Sequence, residues 1–153
     1  MVSMNVGDIM VKDVYTIRPT ETLEKALHKM VAFEVSGLPV LDSKGRLIGI
    51  VSRKEIELFL INKWREREVH ADLDGAAQTL VAVFDHAAPY RVREIMDRNP
   101  PTLDPETSMG EAARLMAETG VTRYPITRRK QLLGIITQRD LLLSMTLESK
   151  LLA

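Results

Sequence analysis

The sequence contains no cysteine among its 153 residues. Disulfide bonds and metal sites with thiolate ligands are therefore excluded. The chain also lacks an excess of either charge, since 21 lysines and arginines stand against 21 aspartates and glutamates. A protein without surplus positive charge has no global electric field that attracts nucleic acid or acidic lipid. We expect neither nucleic acid nor a membrane among its partners.

Long apolar runs are missing as well. No stretch approaches the roughly 18 residues of a transmembrane helix. The first segment, MVSMNVGDIM, lacks the basic start and apolar core of a signal peptide. Hydrophobic residues nevertheless make up 45% of the chain, which suffices to build a core in a domain of this size. We therefore expect a soluble, cytoplasmic protein.

What the chain does contain is an internal repeat. The segment VGDIMVKDVYTIRPTETLEKALHKM aligns with VREIMDRNPPTLDPETSMGEAARLM. Further along, VSGLPVLDSKGRLIGIVSRKE aligns with VTRYPITRRKQLLGIITQRD, with one residue lost between two predicted strands, where turns tolerate such changes. Two copies of this length indicate a duplicated structural unit. Identical residues at matching positions include Ile9 and Ile95, Met10 and Met96, Thr16 and Thr102, Pro39 and Pro125, and Gly49 and Gly134.

Each copy predicts the order strand, helix, strand, strand, helix. Apolar residues at helical spacing predict the core-facing stripe of the first helix, formed by Leu23, Ala26, Leu27, Met30 and Val31. In the second copy, Ser108 and Glu111 predict a capping box at the start of this helix, whose stripe is Met109, Ala112, Ala113 and Met116. Neither copy alone can cover both faces of its small sheet. We therefore expect an α+β fold in which two βαββα repeats pack sheet to sheet about a pseudo-twofold axis.

An insertion at residues 61–91 separates the two copies, which we place at residues 6–60 and 92–146. ELFLINKWREREVH predicts that the last helix of the first copy continues into the insertion, and HADLDG predicts where it ends. AAQTLVAVFDHAAP predicts a second, short helix that ends before Pro89. We expect this segment to be an ordered helical insertion, because it is too apolar for a flexible linker.

Three features, present in the same order in both copies, resemble the CBS-domain pair, also called a Bateman module. They are Ile-Met near the start, a strand of the pattern x-x-Pro-[Val/Ile], and the ending Gly-[Ile/Val]-[Ile/Val]-[Ser/Thr]-x-x-[Asp/Glu]. Family members are regulatory sensors of adenosine-containing ligands such as AMP, ADP, ATP and S-adenosylmethionine, and they usually form disc-shaped dimers. The resemblance implies a stand-alone module for energy sensing or related regulation, which binds its ligand between the repeats and signals by conformational change.

The ending GIITQRD places Thr137 three residues before Asp140. From the residues alone, the pair predicts a helix start at which Thr137 is the N-cap and Asp140 closes a capping box. A helix start also offers unpaired N–H groups and the positive end of the helix dipole, which suit a phosphate. In the resembled family this threonine contacts phosphate and this aspartate binds the ribose. Arg139 is either a phosphate partner or a solvated surface charge.

The resemblance implies that each ligand site combines the end of one copy with the first strand and the proline strand of the other. VSGLP would offer adenine apolar walls, an unobstructed glycine and backbone hydrogen-bonding groups, although each apolar residue could equally be plain core. The first predicted site consists of Met10, Tyr15, Thr16, Val35, Ser36, Gly37, Leu38, Pro39, Ile135, Thr137, Arg139 and Asp140.

A second, weaker site follows from the same rule. Glu55 stands where the family has aspartate, and its extra methylene moves the carboxylate outward from the ribose position. Arg123 occupies a position where relatives place a phosphate-facing arginine, and Lys54 adds positive charge. We expect this site to be empty or differently selective. It consists of Ser52, Arg53, Lys54, Glu55, Met96, Pro101, Thr102, Val121, Thr122, Arg123, Tyr124 and Pro125.

Nothing in the sequence indicates catalysis. It contains no Ser-His-acid set with a glycine elbow and no Walker-type loop. The possible metal ligands of the insertion have no spacing typical of a metal site; they are His70, Asp72, Asp74 and His86. We expect no metal, no catalytic cofactor and no enzymatic activity, and we expect an adenine nucleotide to act as a regulatory ligand.

The last helix of each copy is richer in apolar residues than one small domain needs. We predict a homodimer through these helices, with a face formed by Leu141–Met145, Leu147, Leu151, Leu152, Ile56, Leu60 and Trp64. Two other functions stay open. One is a ligand-free structural or protein-interaction module with the insertion as its working surface, and the other is a small nucleotide-modifying enzyme with Asp140 or Glu55 as base. The sequence does not identify a protein target.

Overall fold

The computed structural model describes residues 4–66 and 76–152. In chain order, its elements are α1 (Val6–Ile9), α2 (Leu23–Phe33), β1 (Gly37–Leu41), β2 (Leu47–Ser52), α3 (Arg53–Glu66), α4 (Ala76–Ala87), a short 3-10 helix (Val92–Glu94), α5 (Met109–Thr119), β3 (Arg123–Arg128), β4 (Gln131–Thr137) and α6 (Gln138–Leu152). In each repeat, one helix precedes a pair of strands and another follows it. The predicted α+β class is therefore confirmed.

The helices that precede the strand pairs begin with side-chain caps. Thr22 Oγ1 accepts a hydrogen bond from the Lys25 N–H at 3.2 Å, and Ser108 Oγ accepts one from the Glu111 N–H at 3.1 Å. Each cap stabilises its helix by about 1 kcal/mol. The capping box predicted at α5 is wrong in its second half, because the Glu111 carboxylate accepts hydrogen bonds from Arg114 within the helix.

The predicted apolar stripe of α2 is confirmed at its centre and wrong at its edge. Leu23, Ala26 and Met30 are buried, whereas Val31 is 79% exposed. Successive residues turn by about 100° around a helix, so Val31 lies about a quarter turn from the centre of the stripe and points past the core. The stripe of α5 is buried at the three equivalent positions, Met109, Ala112 and Met116.

Each small sheet consists of a pair of strands that isolated bridges extend on both sides. β1 pairs with β2, and β3 pairs with β4 in an antiparallel hairpin. The predicted first strand of each repeat is reduced to a single parallel bridge, between Ile17 and Val40 in one case and between Leu103 and Ile126 in the other. The predicted order of elements is thus confirmed, with very short first strands.

Two compact units divide the described chain, and they do not coincide with the repeats. The repeat-1 unit contains residues 15–44, 48–66 and 76–99, and the repeat-2 unit contains residues 4–14, 45–47 and 100–152. The first segment of each repeat therefore belongs to the compact unit of the other repeat. The sequence repeat alone did not predict this exchange.

Backbone hydrogen bonds hold the exchanged segments in place. In the repeat-2 unit, Val11 and Ile135 exchange two N–H to C=O hydrogen bonds, at 2.9 and 3.0 Å. In the repeat-1 unit, Asp97 and Ile50 do the same, at 2.9 and 3.0 Å. Each exchanged segment thereby adds an antiparallel bridge to the second strand of its sheet and satisfies backbone groups that an open edge would leave unpaired.

Each unit has a hydrophobic core of its own, to which the exchanged segments contribute. Burying one Val, Leu or Ile side chain stabilises a fold by about 1.5–3 kcal/mol, so these segments are integral to both cores. The core of the repeat-1 unit consists of Ile17, Leu23, Ala26, Met30, Leu38, Val40, Val51, Ile56, Ala87, Val92 and Ile95. The core of the repeat-2 unit consists of Val6, Leu103, Met109, Ala112, Met116, Tyr124, Ile126, Ile136 and Leu141.

The insertion contributes to the repeat-1 unit through α3 and α4. Both predicted helices are confirmed, and α4 ends at Ala87, before Pro89 as expected. The predicted break HADLDG lies outside the described residues. Val83 and Ala87 of α4 are buried, and Phe59 of α3 meets Tyr90 edge-on, with ring centroids 5.0 Å apart. Among the described helices, none has both the length and the apolar character that crossing a bilayer requires.

Candidate functional site

The residues predicted for each ligand site come from both compact units. For the first site, Met10, Ile135, Thr137, Arg139 and Asp140 lie in the repeat-2 unit, and the other members, Tyr15, Thr16 and residues 35–39, lie in the repeat-1 unit. The second site divides the opposite way. Residues 52–55 and Met96 lie in the repeat-1 unit, and Pro101, Thr102 and residues 121–125 lie in the repeat-2 unit.

Thr137 and Asp140 form a capping box at the junction of β4 and α6. Oδ2 of Asp140 accepts hydrogen bonds from the N–H and the hydroxyl of Thr137, both at 2.9 Å. The Asp140 N–H donates to Thr137 Oγ1 at 3.3 Å. Among the described residues, nothing donates a hydrogen bond to Oδ1, the second carboxylate oxygen of this half-buried side chain. The helix cap therefore occupies one oxygen and leaves the other able to accept a further hydrogen bond.

Ser52 and Glu55 form the equivalent arrangement at the junction of β2 and α3. Glu55 Oε2 accepts a hydrogen bond from the Ser52 N–H at 3.0 Å and another from the Ser52 hydroxyl. The longer glutamate side chain thus folds back onto the residue that ends its strand, as Asp140 does. The extra methylene changes the path of the side chain without preventing the capping contact.

The first N–H group of each of these helices is already paired. The Gln138 N–H donates to the Thr122 carbonyl at 2.8 Å, and the Arg53 N–H donates to the Ser36 carbonyl at 3.1 Å. Together with the Asp140 N–H, two of the first three donors of α6 are thus used within the protein. The positive end of the helix dipole remains as an attraction for an anion.

Three basic side chains lie at these helix starts, and they differ in their hydrogen bonds and ion pairs. Arg139 and Lys54 are exposed. The Nε of Arg53 donates a hydrogen bond to Oε1 of Glu57 at 2.7 Å, and this bond raises the pKa of Arg53 above its ordinary value. A phosphate at Arg53 would have to compete with Glu57, whereas Arg139 has no ion pair among the described residues.

The segment Val35–Pro39 includes the first three residues of β1 in the repeat-1 unit. The Pro39 carbonyl accepts a hydrogen bond from the Ile17 N–H at 3.0 Å, so the chain at Tyr15 and Thr16 runs beside this strand. The Leu38 side chain is fully buried in the core of the unit. The side chain therefore contributes to the core, and a contact of Leu38 with a ligand, for which its backbone is available, stays a prediction.

Arg123 and Tyr124 open β3 in the repeat-2 unit. The Arg123 side chain is half-buried, and its burial lowers the pKa of the guanidinium below its ordinary value, because partial removal from water disfavours the charged form. The Tyr124 ring belongs to the core, with its hydroxyl 3.0 Å from Thr119 Oγ1. The ring is buried within the unit, and the contact of Tyr124 with a ligand stays a prediction.

Met10 and Met96, both predicted as site residues, pack against glycines that the repeat aligns. A Cβ atom built on Gly134 would lie 2.6 Å from Met10 Sδ, and one built on Gly49 would lie 2.7 Å from Met96 Sδ. These glycines therefore allow the close approach of the exchanged segments to β4 and β2. The aligned Gly and Met pairs were visible in the sequence, but their contact was not predicted.

The sequence did not identify one further side chain, Phe33, which lies beside the predicted site residue Tyr15. The Phe33 ring stacks on the Tyr15 ring, with centroids 4.0 Å apart and an angle of 6° between the ring planes. Phe33 ends α2 directly before Glu34 and the VSGLP segment. Its nearness to that segment in the sequence was a signal, although nothing in the pattern linked it to Tyr15.

The possible metal ligands of the insertion are only partly described. His70, Asp72 and Asp74 lie outside the described residues. The His86 ring lies 5.9 Å from the ring of Tyr90, and the described part of the chain contains no group of three or more histidine, cysteine, aspartate or glutamate side chains that could hold a metal ion.

Comparison with known proteins gives matches along nearly the whole chain. The family model of the CBS domain matches residues 6–61 and 92–146. A CBS domain-containing protein of Dictyostelium discoideum is 30% identical over 138 residues, which cover 90% of this chain and 88% of that protein. An inosine-5'-monophosphate dehydrogenase of Methanocaldococcus jannaschii is 27% identical over 136 residues, or 88% of this chain. The match spans 22% of the dehydrogenase, so the similarity is confined to a small part of that enzyme.

A solved structure has the same fold. The crystal structure of CBSX2 from Arabidopsis thaliana in complex with AMP matches with a TM-score of 0.74 and 25% sequence identity. The match covers 95% of this chain and 98% of CBSX2. The structural similarity therefore extends over nearly the whole chain.

Proposed function

We propose, because this chain belongs to the CBS domain family, that it is a regulatory module which binds an adenosine-containing nucleotide and signals by a change of conformation. AMP, ADP, ATP and S-adenosylmethionine are the candidate ligands. The AMP complex of CBSX2 supports this ligand class. The match to the dehydrogenase does not argue for catalysis, since it covers a small part of that enzyme.

The observation that carries the proposal is the divided use of the Asp140 carboxylate. Oδ2 holds the start of α6 in place through Thr137, while Oδ1 has no donor among the described residues. A carboxylate fixed in this way can accept hydrogen bonds from a ribose without a further loss of side-chain freedom. The helix dipole and the exposed Arg139 beside it favour a phosphate at the same turn.

The adenine base would bind at the residues assigned to the first site in the repeat-1 unit. Tyr15, Thr16, Val35, Ser36 and the backbone of Gly37 are the proposed contacts, since the Leu38 side chain is committed to the core. Apolar surface with a few backbone hydrogen-bonding groups is typical of sites for small aromatic ligands.

The second site is proposed to bind more weakly or with a different preference. Arg123 is the proposed anion contact there, because its guanidinium places a positive charge at the start of β3. Arg53 works against it, because Glu57 already engages this side chain. Two unequal sites are therefore expected.

A panel of thermal shifts tests the proposal. A ligand at one hundred times its dissociation constant stabilises the folded state by about 2.7 kcal/mol, which corresponds to a rise in Tm of about 5–10 °C for a protein of this size. We expect such a rise with at least one of AMP, ADP, ATP and S-adenosylmethionine, and a much smaller rise with ribose 5-phosphate at the same concentration, because it lacks the base.

A flat response to all four ligands, in protein shown to be folded, would favour the ligand-free interaction module. Exposed apolar side chains on α3, namely Leu58, Ile61 and Trp64, are compatible with that alternative. Recovery of chemically unchanged nucleotide after incubation separates binding from the third possibility, a nucleotide-modifying enzyme. Conversion of the nucleotide would contradict the proposal.

The proposal includes self-association through α3 and α6. Leu142, Leu143, Met145 and Leu147 of α6 are exposed, whereas the side chains of Leu151 and Leu152 lie outside the described residues. The predicted face is wrong at Ile56 and Leu141, because both side chains are buried in the cores of their own units. On α3 the exposed apolar row is Leu58, Ile61 and Trp64, while Leu60 is half-buried. The mass in solution tests this part.

A further inference from the structure

Tyr15 and Phe33 form an exposed aromatic pair in the repeat-1 unit. Their rings are nearly parallel, with 6° between the planes and 4.0 Å between the centroids. Tyr15 is 48% exposed and Phe33 is 42% exposed. Large aromatic side chains that stack in proteins commonly do so within a core, where burial stabilises them. A parallel pair that stays half in water is therefore an arrangement that burial alone does not explain.

Two neighbouring contacts from one face of α2 hold this pair in position. Lys29 Nζ donates a hydrogen bond to the Thr16 carbonyl at 3.1 Å. Phe33 lies one helical turn further along the same face, because residues four apart are neighbours on a helix surface, and its ring covers one face of the Tyr15 ring. Consecutive residues of the first strand are thus fixed by consecutive turns of α2.

The end of α2 and the sheet fix the backbone on either side of the pair. After Phe33 the chain turns at Glu34, which has the left-handed conformation with φ 54° and ψ 42°, and the Val35 N–H donates to the Met30 carbonyl at 3.0 Å. The parallel bridge between Ile17 and Val40 places Tyr15 level with the beginning of β1. The aromatic pair therefore lies beside the segment proposed to bind adenine.

We propose that the Tyr15–Phe33 pair is the platform on which the base of the nucleotide stacks, with Phe33 as the positioning residue that holds the Tyr15 ring flat. This inference rests on the proposed function. A flat ring with one face covered, one fixed orientation and half of its side chain in water offers a base a stacking surface at little cost in side-chain freedom. Phe33 acts through Tyr15 and need not touch the ligand itself.

Stacking predicts which part of the ligand depends on the pair. Bases of every kind have a flat π face, and loss of one stacking partner typically weakens binding by about five- to a hundredfold. The ribose and the phosphate take no part in this contact. Changes at Phe33 should therefore weaken binding of AMP and leave binding of ribose 5-phosphate unchanged.

The experiment measures the dissociation constant of AMP by isothermal titration for the intact chain and four variants. We expect Phe33→Ala and Tyr15→Leu to weaken AMP binding about tenfold and Phe33→Tyr to retain the affinity of the unchanged protein, because a ring is restored. Val31→Ala is the matched control, since Val31 lies on the same helix, is 79% exposed and is outside the pair. It should bind AMP as the unchanged protein does.

Competition by ribose 5-phosphate against AMP supplies the second readout. Its inhibition constant should be the same for the unchanged protein and for Phe33→Ala. An equal loss of AMP and ribose 5-phosphate affinity in Phe33→Ala would overturn the inference, because it would indicate general damage to the site. If Phe33→Ala does not fold by circular dichroism, Phe33→Leu, which keeps apolar volume without a ring, decides on the same criteria.

The two proposals fail in different ways. An unchanged protein that binds none of AMP, ADP, ATP and S-adenosylmethionine would overturn the proposed function and with it the platform. An unchanged protein that binds AMP, together with a folded Phe33→Ala variant of equal AMP affinity, would overturn the platform alone.

Discussion

We propose that the two oxygens of the Asp140 carboxylate have different roles, one structural and one in ligand binding. Oδ2 accepts two hydrogen bonds at the start of α6, and Oδ1 is the proposed ligand contact. Glu55 has the same capping contact with Ser52 at the start of α3. The chain therefore contains two side chains with matched structural roles, of which we assign one to the stronger ligand site.

Replacing each of these two carboxylates separates the two roles. We expect Asp140→Ala and Glu55→Ala to lower the free energy of unfolding by a similar amount, about 1 kcal/mol, because each loses the carboxylate that closes a capping box. Asp140→Ala should also weaken the tightest AMP binding at least about tenfold, since it removes hydrogen bonds to a charged acceptor. Glu55→Ala should leave that dissociation constant unchanged.

Urea unfolding and isothermal titration on the same samples check both expectations. Equal AMP affinity in Asp140→Ala and the unchanged protein would contradict the assignment of the ribose contact. A larger loss of affinity in Glu55→Ala than in Asp140→Ala would show that the stronger site lies at the other helix start.

At the scale of the elements, two glycines decide how closely the exchanged segments approach the sheets. A Cβ atom on Gly134 would lie 2.8 Å from the Val11 carbonyl oxygen as well as 2.6 Å from Met10 Sδ. A flexible methionine can move aside, whereas a backbone carbonyl engaged in strand pairing cannot do so without breaking that pairing. Added volume at such a position therefore strains the joint between β4 and the segment that arrives from the other repeat.

We expect Gly134→Ala to lower the free energy of unfolding by about 1–3 kcal/mol, the usual effect of overpacking, and Gly49→Ala to do the same at the Asp97 carbonyl. Gly110→Ala is the matched control. Gly110 lies in the first turn of α5, and a Cβ atom there meets nothing within 4 Å, so alanine should leave the free energy of unfolding unchanged or raise it by up to about 1 kcal/mol. Thermal unfolding measures all three variants. A Gly134→Ala variant as stable as Gly110→Ala would contradict this account of the joint.

The sequence predicted the helices and strands well, but it did not predict that the first segment of each repeat joins the other unit. The reason is physical. Periodic apolar residues and turn signals act locally, so they identify α2, α5 and the strand pairs. The segments at Met10 and Met96 are near copies of each other, so each is equally suited to pairing with the sheet of its own repeat or of the other. The spacing of apolar residues within one repeat cannot distinguish these two pairings. The choice depends on the path of the chain that connects each segment to the rest of its repeat.

In the candidate site too, local features were predictable from the sequence, whereas contacts between distant residues were not. Thr137 and Asp140 were predictable, because a capping box depends on residues three apart in the chain. Phe33 and Tyr15 are in contact but lie far apart in the sequence. Both are exposed, so no pattern of buried residues predicts their contact. The core positions of Leu38 and Tyr124 were hidden for a related reason, since the residue types that line an apolar binding site are also those that fill a core.

At the scale of the whole molecule, the protein has exposed apolar side chains and a net charge of zero, and both favour association. The chain carries 21 basic and 21 acidic residues, so two copies do not repel each other through net charge. α6 exposes Leu142, Leu143, Met145 and Leu147 within two turns of helix. Several exposed apolar side chains close together on a helix are typical of a contact with another protein, and a second copy of this chain is the partner that we propose.

Introducing charge into this surface should separate the copies. We expect the unchanged protein to have twice the 17.2 kDa mass of one chain in light scattering at micromolar concentration. Leu143→Lys combined with Leu142→Lys should give the mass of a single chain, because burying unpaired ammonium groups in an apolar contact costs several kcal/mol. Val31→Lys, which places the same charge on an exposed position of α2, should keep the double mass. A single-chain mass for the unchanged protein, or a double mass for the paired lysine variant, would contradict self-association through α6.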